Sequence, residues 1–180
     1  MKTGFRKNPS RCVLCVLIAC LAICLTACGY HIAGSGTQRL PTGQSLWVSF
    51  IGIEIDSPSA QTVLRRSLLE EFHAQRGLAP SSAEATADMR ISGQLRSYST
   101  RAVTYSAADQ IRDYALTIEV DLSLFRKGET APFWKGVLQG RQNFPANNDL
   151  AVQRSSEEAA LAAASRVVAQ KMISAVEQSY

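Results

Sequence analysis

The side chains able to act as nucleophiles, bases or metal ligands are few and poorly grouped. The 180-residue chain has five cysteines and two histidines. Cys12, Cys15, Cys20, Cys24 and Cys28 crowd the N-terminus, while His31 and His73 stand apart. Neither histidine has a cysteine, a second histidine or a carboxylate pair at metal-ligand spacing, so no metal site is expected. There is no GxSxG elbow, no phosphate loop and no GxGxxG opening a helix. The acidic pairs Glu70-Glu71 and Glu157-Glu158 read as charges on a helix face and at a helix start, where the dipole favours the second pair. The expectation is a protein that is not an enzyme and carries no cofactor. What remains is the thiol of Cys28 and a scattered set of arginines and lysines.

Cys28 closes the stretch Leu25-Thr26-Ala27-Cys28. Upstream lie Lys2, Arg6, Lys7 and Arg11, then an apolar run over residues 12–25. That run is shorter than the roughly 20 residues of a membrane span but suits the ~7–15 of a signal-peptide core. Charge, apolar length, small residues and cysteine in this order resemble the bacterial lipoprotein signal. Residues 1–27 would then be the signal peptide and Cys28 the residue that is diacylated, released by cleavage and N-acylated. The alternative, a buried N-terminal helix, would make an odd core of the other four cysteines.

Cleavage before Cys28 changes the electrostatics. It removes four of the 19 basic residues and none of the 15 acidic ones, leaving 15 of each. The pI of 8.9 therefore implies no nucleic-acid partner. The mature chain has one cysteine, spent on lipid, and no disulfide. Several acyl chains give stable attachment to a membrane surface. Gly29 follows the cysteine where, in this class, an aspartate favours retention in the inner membrane, so the expected location is the periplasmic face of the outer membrane.

The elements that would position the remaining charges can be read from periodicity. Residues 28–44 form the lipidated N-terminus and a Gly/Ser/Thr/Pro-rich tether, and 45–180 suit a single domain. Leu46–Ile55 has apolar residues on both parities and reads as a central strand. Ser57-Pro58 starts a helix that runs to about Arg76, with Val63, Leu64, Leu68 and Phe72 on one stripe and Gly77 as its left-handed end. After the loop APSSAEATA comes a strand in which Met89, Ile91, Gly93 and Leu95 alternate with Arg90, Ser92, Gln94 and Arg96. A third, YALTIEVDLSLF, puts Tyr114, Leu116, Ile118, Val120, Leu122 and Leu124 on one face. Arg126–Glu129 turns the chain into a fourth strand over Pro132–Phe144. The last helix starts at Asn147–Asp149 or, by capping-box spacing, at Ser155–Glu158, and its stripe is Leu161, Ala164, Val168, Met172 and Ala175. The expected fold is α+β: a four-stranded, mostly antiparallel sheet in the order β-α-β-β-β-α, with both helices on one face.

Taken together, the lipobox with Cys28-Gly29-Tyr30-His31, the tether with Leu40-Pro41, the strand around Arg112–Leu116 and the run from Asn147 to Glu158 into the last helix resemble the LptE family of lipopolysaccharide-assembly lipoproteins. The resemblance covers essentially the mature chain. It implies a partner, the LptD β-barrel of the outer membrane, in which the protein would sit as a plug and assembly factor while lipopolysaccharide is inserted into the outer leaflet. It also implies binding of lipopolysaccharide, whose phosphates call for Arg and Lys donors. Candidate donors are Arg90, Arg96, Arg101, Arg112, Lys135 and Arg141, though a solvated strand face or a contact to barrel carboxylates is the plainer reading of any one of them. The family places a basic residue in the loop corresponding to Ala102–Gln110. This chain has none there, and Arg101 and Arg112 flank the gap. Tyr105 in that loop suits either acyl chains or the barrel wall. A pilotin-like or other lipid-anchored binding module for a different outer-membrane complex is the alternative reading.

Overall fold

The computed structural model describes residues 40, 43–49, 52–53 and 58–179. Cys28, the expected signal segment, most of the expected tether, Ser57 and residues 50–51 and 54–55 of the first expected strand lie outside the described residues. Two α-helices and a six-stranded mixed sheet are present among them. In chain order they are β1 (Ser45–Val48), β2 (Gly52–Ile53), α1 (Pro58–Arg76), β3 (Ala79–Pro80), β4 (Met89–Tyr105), β5 (Ile111–Arg126), β6 (Trp134–Pro145) and α2 (Leu150–Gln178), with a short 3-10 turn at Glu84–Thr86. The sheet order is β3-β1-β4-β5-β6, and β2 pairs further along β4.

The α+β class with two helices stands, but the expected four-stranded, mostly antiparallel sheet does not. The apolar stretch after Gln44 makes two short strands, and both run parallel to β4. The first of them is second from the edge rather than central, because β3 adds outside it in parallel. That strand falls in the loop expected after Gly77. It is two residues long and exposed, and it exists because Ala79 and Ser81 donate to the carbonyls of Gln44 and Leu46 at 2.9 and 2.8 Å. No local preference signals such a strand.

One face of the sheet is covered by both helices. Helix α1 buries Ala60, Leu64, Leu68 and Phe72, four residues apart, as an amphipathic stripe should. It ends at Gly77, whose φ of +67° suits a residue without Cβ, and Leu78 turns back into the core. Strand β5 buries Leu116, Ile118, Val120, Leu122 and Leu124 against the helices. On α2 the stripe is Ala160, Leu161, Ala164, Ser165, Val168, Ala169, Met172, Ile173 and Val176; the expected Ala175 is only half-buried. Small residues let its backbone approach closely, and a Cβ at Gly140 of β6 would run into the Ala164 carbonyl. The helices are joined by Glu71, which meets Arg166 at 3.2 Å, and by the pair Arg76–Glu177.

The start of α2 decides between the two expectations. Asp149 caps it, its carboxylate accepting from Ala151 N–H at 2.8 Å and Val152 N–H at 3.3 Å. Ser155 and Glu158 are therefore interior helix residues, not a capping box.

Candidate functional site

The face of the sheet away from the helices carries most of the cationic candidates. Its rows follow from the register: Trp47–Arg90–Phe125, then Ser92–Ser123–Lys135, Gln94–Asp121–Val137, Ser97–Glu119–Gln139, Ser99–Thr117–Arg141 and Arg101–Ala115–Asn143. Arg90, Arg101, Lys135 and Arg141 thus share the outer face. Arg96 reaches it differently. The register shifts between Leu95 and Ser97, so Arg96 is the extra residue of a β-bulge rather than the next step of an alternation.

That bulge inverts the parity of β4 until the register shifts again between Ala102 and Thr104. The strict period two expected through Arg96 fails there, and from Tyr98 to Ala102 the even residues point to the helices. Tyr98 and Thr100 consequently meet Glu157 of α2, their hydroxyls donating to one carboxylate oxygen at 2.7 and 3.3 Å. Burial, reinforced by the bond to Glu157, pushes the Tyr98 phenol well above its usual range. Glu157 is therefore a tie between sheet and helix, a role its reading as a helix-start charge misses. Only the register reveals it.

The six candidates divide into two groups. Arg90 lies over the Phe125 ring at 4.4 Å and pairs with Glu84 at 2.6 Å. Arg96 and Lys135 both approach one oxygen of Asp121, at 2.8 and 3.8 Å. These three have internal counter-charges. Arg101, Arg112 and Arg141 are exposed and have no ion pair or side-chain hydrogen bond among the described residues. Arg101 and Arg141 lie on strands two apart and on adjacent rows, about 12 Å between Cα atoms from strand spacing and rise. Arg112 lies by the tip of the β4–β5 hairpin, and its carbonyl receives Ala146 N–H at 2.8 Å.

The sequence singled out one aromatic residue at the tip, and the structure adds apolar company. Tyr105 and Ile111 are cross-strand partners at the end of the hairpin, 55% and 38% exposed. Leu150 and Val152, in the first turn of α2, are 76% and 46% exposed, and the chain enters that turn from Ala146 beside Arg112. That end of the domain therefore combines exposed apolar side chains with Arg112, while Arg101 and Arg141 stand further along the sheet on its outer face, opposite Ala115 and Thr117 of β5. An amphiphile with an anionic head and apolar tails needs both kinds of group.

The LptE lipopolysaccharide-assembly family model matches residues 44–176. The chain belongs to the LptE family. The match spans β1 through almost all of α2, so membership rests on the whole sheet and both helices. LptE proteins are assembly lipoproteins rather than catalysts, and membership is consistent with an outer-membrane setting. No curated protein sequence matches the chain. Among solved structures, a protein from Xanthomonas campestris is 15% identical, with 80% of this chain and 95% of that one covered and a TM-score of 0.55. A candidate lipoprotein from Caulobacter crescentus is 12% identical over 74% of this chain and 88% of its own, with a TM-score of 0.53. At such identities these two show a shared fold alone. The rare lipoprotein B from Shewanella oneidensis, 12% identical over 76% of this chain and 99% of its own, superposes at a TM-score of 0.43, too loosely to argue from.

Proposed function

We propose that this LptE-family chain is an outer-membrane lipoprotein, anchored through acylated Cys28 on the periplasmic face. It would act as the plug and assembly factor of an LptD-type β-barrel during insertion of lipopolysaccharide into the outer leaflet. The observation that carries the reading is the family match over residues 44–176, which takes in almost every element of the domain. The physical properties support it. A mature chain with 15 cations and 15 anions enters a polar lumen at less desolvation cost than a highly charged one.

Lipopolysaccharide contact belongs to the same reading. Of the six cations, Arg101, Arg112 and Arg141 are the best phosphate donors, because a phosphate need not displace a carboxylate to reach them. Arg90, Arg96 and Lys135 must first release Glu84 or Asp121. Tyr105, Ile111, Leu150 and Val152 offer apolar surface at the hairpin end, beside Arg112.

The test is to extract the tagged, lipidated protein from native outer membrane in mild detergent and identify what co-purifies in equal amount. A large LptD-type barrel at one to one is expected. A secretin in its place, or no stoichiometric partner, overturns the proposal.

A further inference from the structure

The free edge of β6 has a backbone direction that can be deduced. Ala146 donates to Arg112 and Lys127 to Asp88, both at 2.8 Å. Even residues of β5 and β6 therefore bond each other, odd residues of β5 bond β4, and odd residues of β6 turn their N–H and C=O groups outward. Two side chains agree with this. Lys171 Nζ donates to the Gln139 carbonyl at 2.8 Å, and Gln142 Nε2 to the Asn143 carbonyl at 3.1 Å. The outward N–H groups of Lys135, Val137, Gln139, Arg141 and Asn143 have no partner among the described residues. They repeat every ~6.8 Å, the ladder an added strand requires. Pro145, the next outward position, has no N–H and ends the ladder.

Charge selects the occupant. The sequence of β6, WKGVLQGRQNFP, contains Lys135 and Arg141 and no carboxylate. Lys171 adds a third cation at the same edge. Two copies joined along this strand would gather Lys135, Arg141 and Lys171 from each side at a seam to which β6 adds no acid, and where Asp121 of β5 is already shared by Arg96 and Lys135, which opposes self-pairing. Between the cations Val137 is 47% exposed, an apolar contact for a neighbouring strand. We infer that the β6 edge is a strand-addition site for an extended segment of another protein, with acidic side chains opposite Lys135 and Arg141 and an apolar one near Val137. Exposed Lys171 swings off the Gln139 carbonyl as the segment docks. The inference needs neither lipopolysaccharide nor a barrel, so it stands or falls separately from the proposed function.

The test uses the full-length chain in detergent, a synthetic peptide whose alternate residues read glutamate, valine, threonine, glutamate with threonine between them, so that glutamates and valine share one face, and a lysine-for-glutamate counterpart. Residue-resolved hydrogen exchange should slow about tenfold at Val137, Gln139, Arg141 and Asn143 with the glutamate peptide and stay unchanged with the lysine peptide. No slowing, or equal slowing by both, overturns the inference. Gln139→Pro removes an outward donor without touching the β5 ladder, so it should abolish peptide protection while β5 stays protected; persistent protection overturns it. Should that variant fail to fold, the pair Lys135→Glu and Arg141→Glu should switch preference to the lysine peptide. An unchanged preference for the glutamate peptide counts against the inference.

Discussion

The two faces of the sheet obey different rules. On β5 the inner residues Leu116, Ile118, Val120, Leu122 and Leu124 are at most 1% exposed, under both helices. The intervening Thr117, Glu119, Asp121 and Ser123 are half-buried and have no helix above them. Along β5 the inner face is set by apolar area, which adds up residue by residue. The outer face is set by which charge lies beside which, and there one carboxylate, Asp121, separates Arg96 and Lys135 from the unpartnered Arg101 and Arg141. Stability resides on the first face, and the proposed binding belongs to the second.

Core truncation should show the largest contrast. Leu122→Ala, at 0% exposure, is expected to cost about 2–5 kcal/mol from lost transfer and cavity terms. Val137→Ala, on the row beside Asp121, should stay within about 0.5 kcal/mol. Chemical denaturation of both variants tests this, and similar losses would show that the outer face is covered in the free protein.

A smaller loss is expected at the seam between β6 and α2. Gly140→Ala places a methyl group against the Ala164 carbonyl, and the resulting shift of α2 should cost about 1–3 kcal/mol. The thermal midpoint should fall, with lipopolysaccharide binding at low temperature retained. An unchanged midpoint would mean that the helix is free to lift.

The outer face is sharpened by charge removal. Arg101→Ala with Arg141→Ala should weaken lipopolysaccharide binding by about tenfold or more, two charge-assisted bonds being at stake, with little change in thermal midpoint. Arg96→Ala should do less, because its guanidinium already serves Asp121. If Arg96→Ala proves the more damaging, the division of the six cations is wrong.

The smallest effect is a pH dependence. The Asp88 carboxyl is held below its usual range, chiefly by the Ser45 N–H at 2.9 Å and then by the Ser45 hydroxyl at 2.7 Å. Its folded value lies below its unfolded value, so the stability it adds is present above the ordinary carboxylate range and lost as pH falls through the folded value. Asp88→Asn should flatten the acid limb of a plot of thermal midpoint against pH. An identical limb in the variant would show that this contact does not stabilise the fold.

Much of this division was legible beforehand. The alternation in YALTIEVDLSLF identified the buried face of β5, and of the helical stripe Val63, Leu64, Leu68 and Phe72 the last three are fully buried and Val63 partly so. The outer placement of Arg90 and the shared face of Lys135 and Arg141 also follow from parity, because a strand without irregularity keeps its period. Beyond Leu95 that logic failed. A bulge costs one residue and has no compositional mark here, yet it moved Tyr98 and Thr100 onto Glu157.

By itself the sequence determined the element types, the faces they bury and a family resemblance now supported over residues 44–176. These depend on local periodicity and composition, which each segment carries alone. Only the tertiary structure decided that β1 and β2 run parallel to β4, that β3 exists, that Asp121 neutralises two of the candidate cations and that β6 shows its odd amides to the outside. Strand order and register join residues far apart in the chain. No local pattern encodes them, because they are settled by the total apolar area and the sum of hydrogen bonds that one arrangement can satisfy at once.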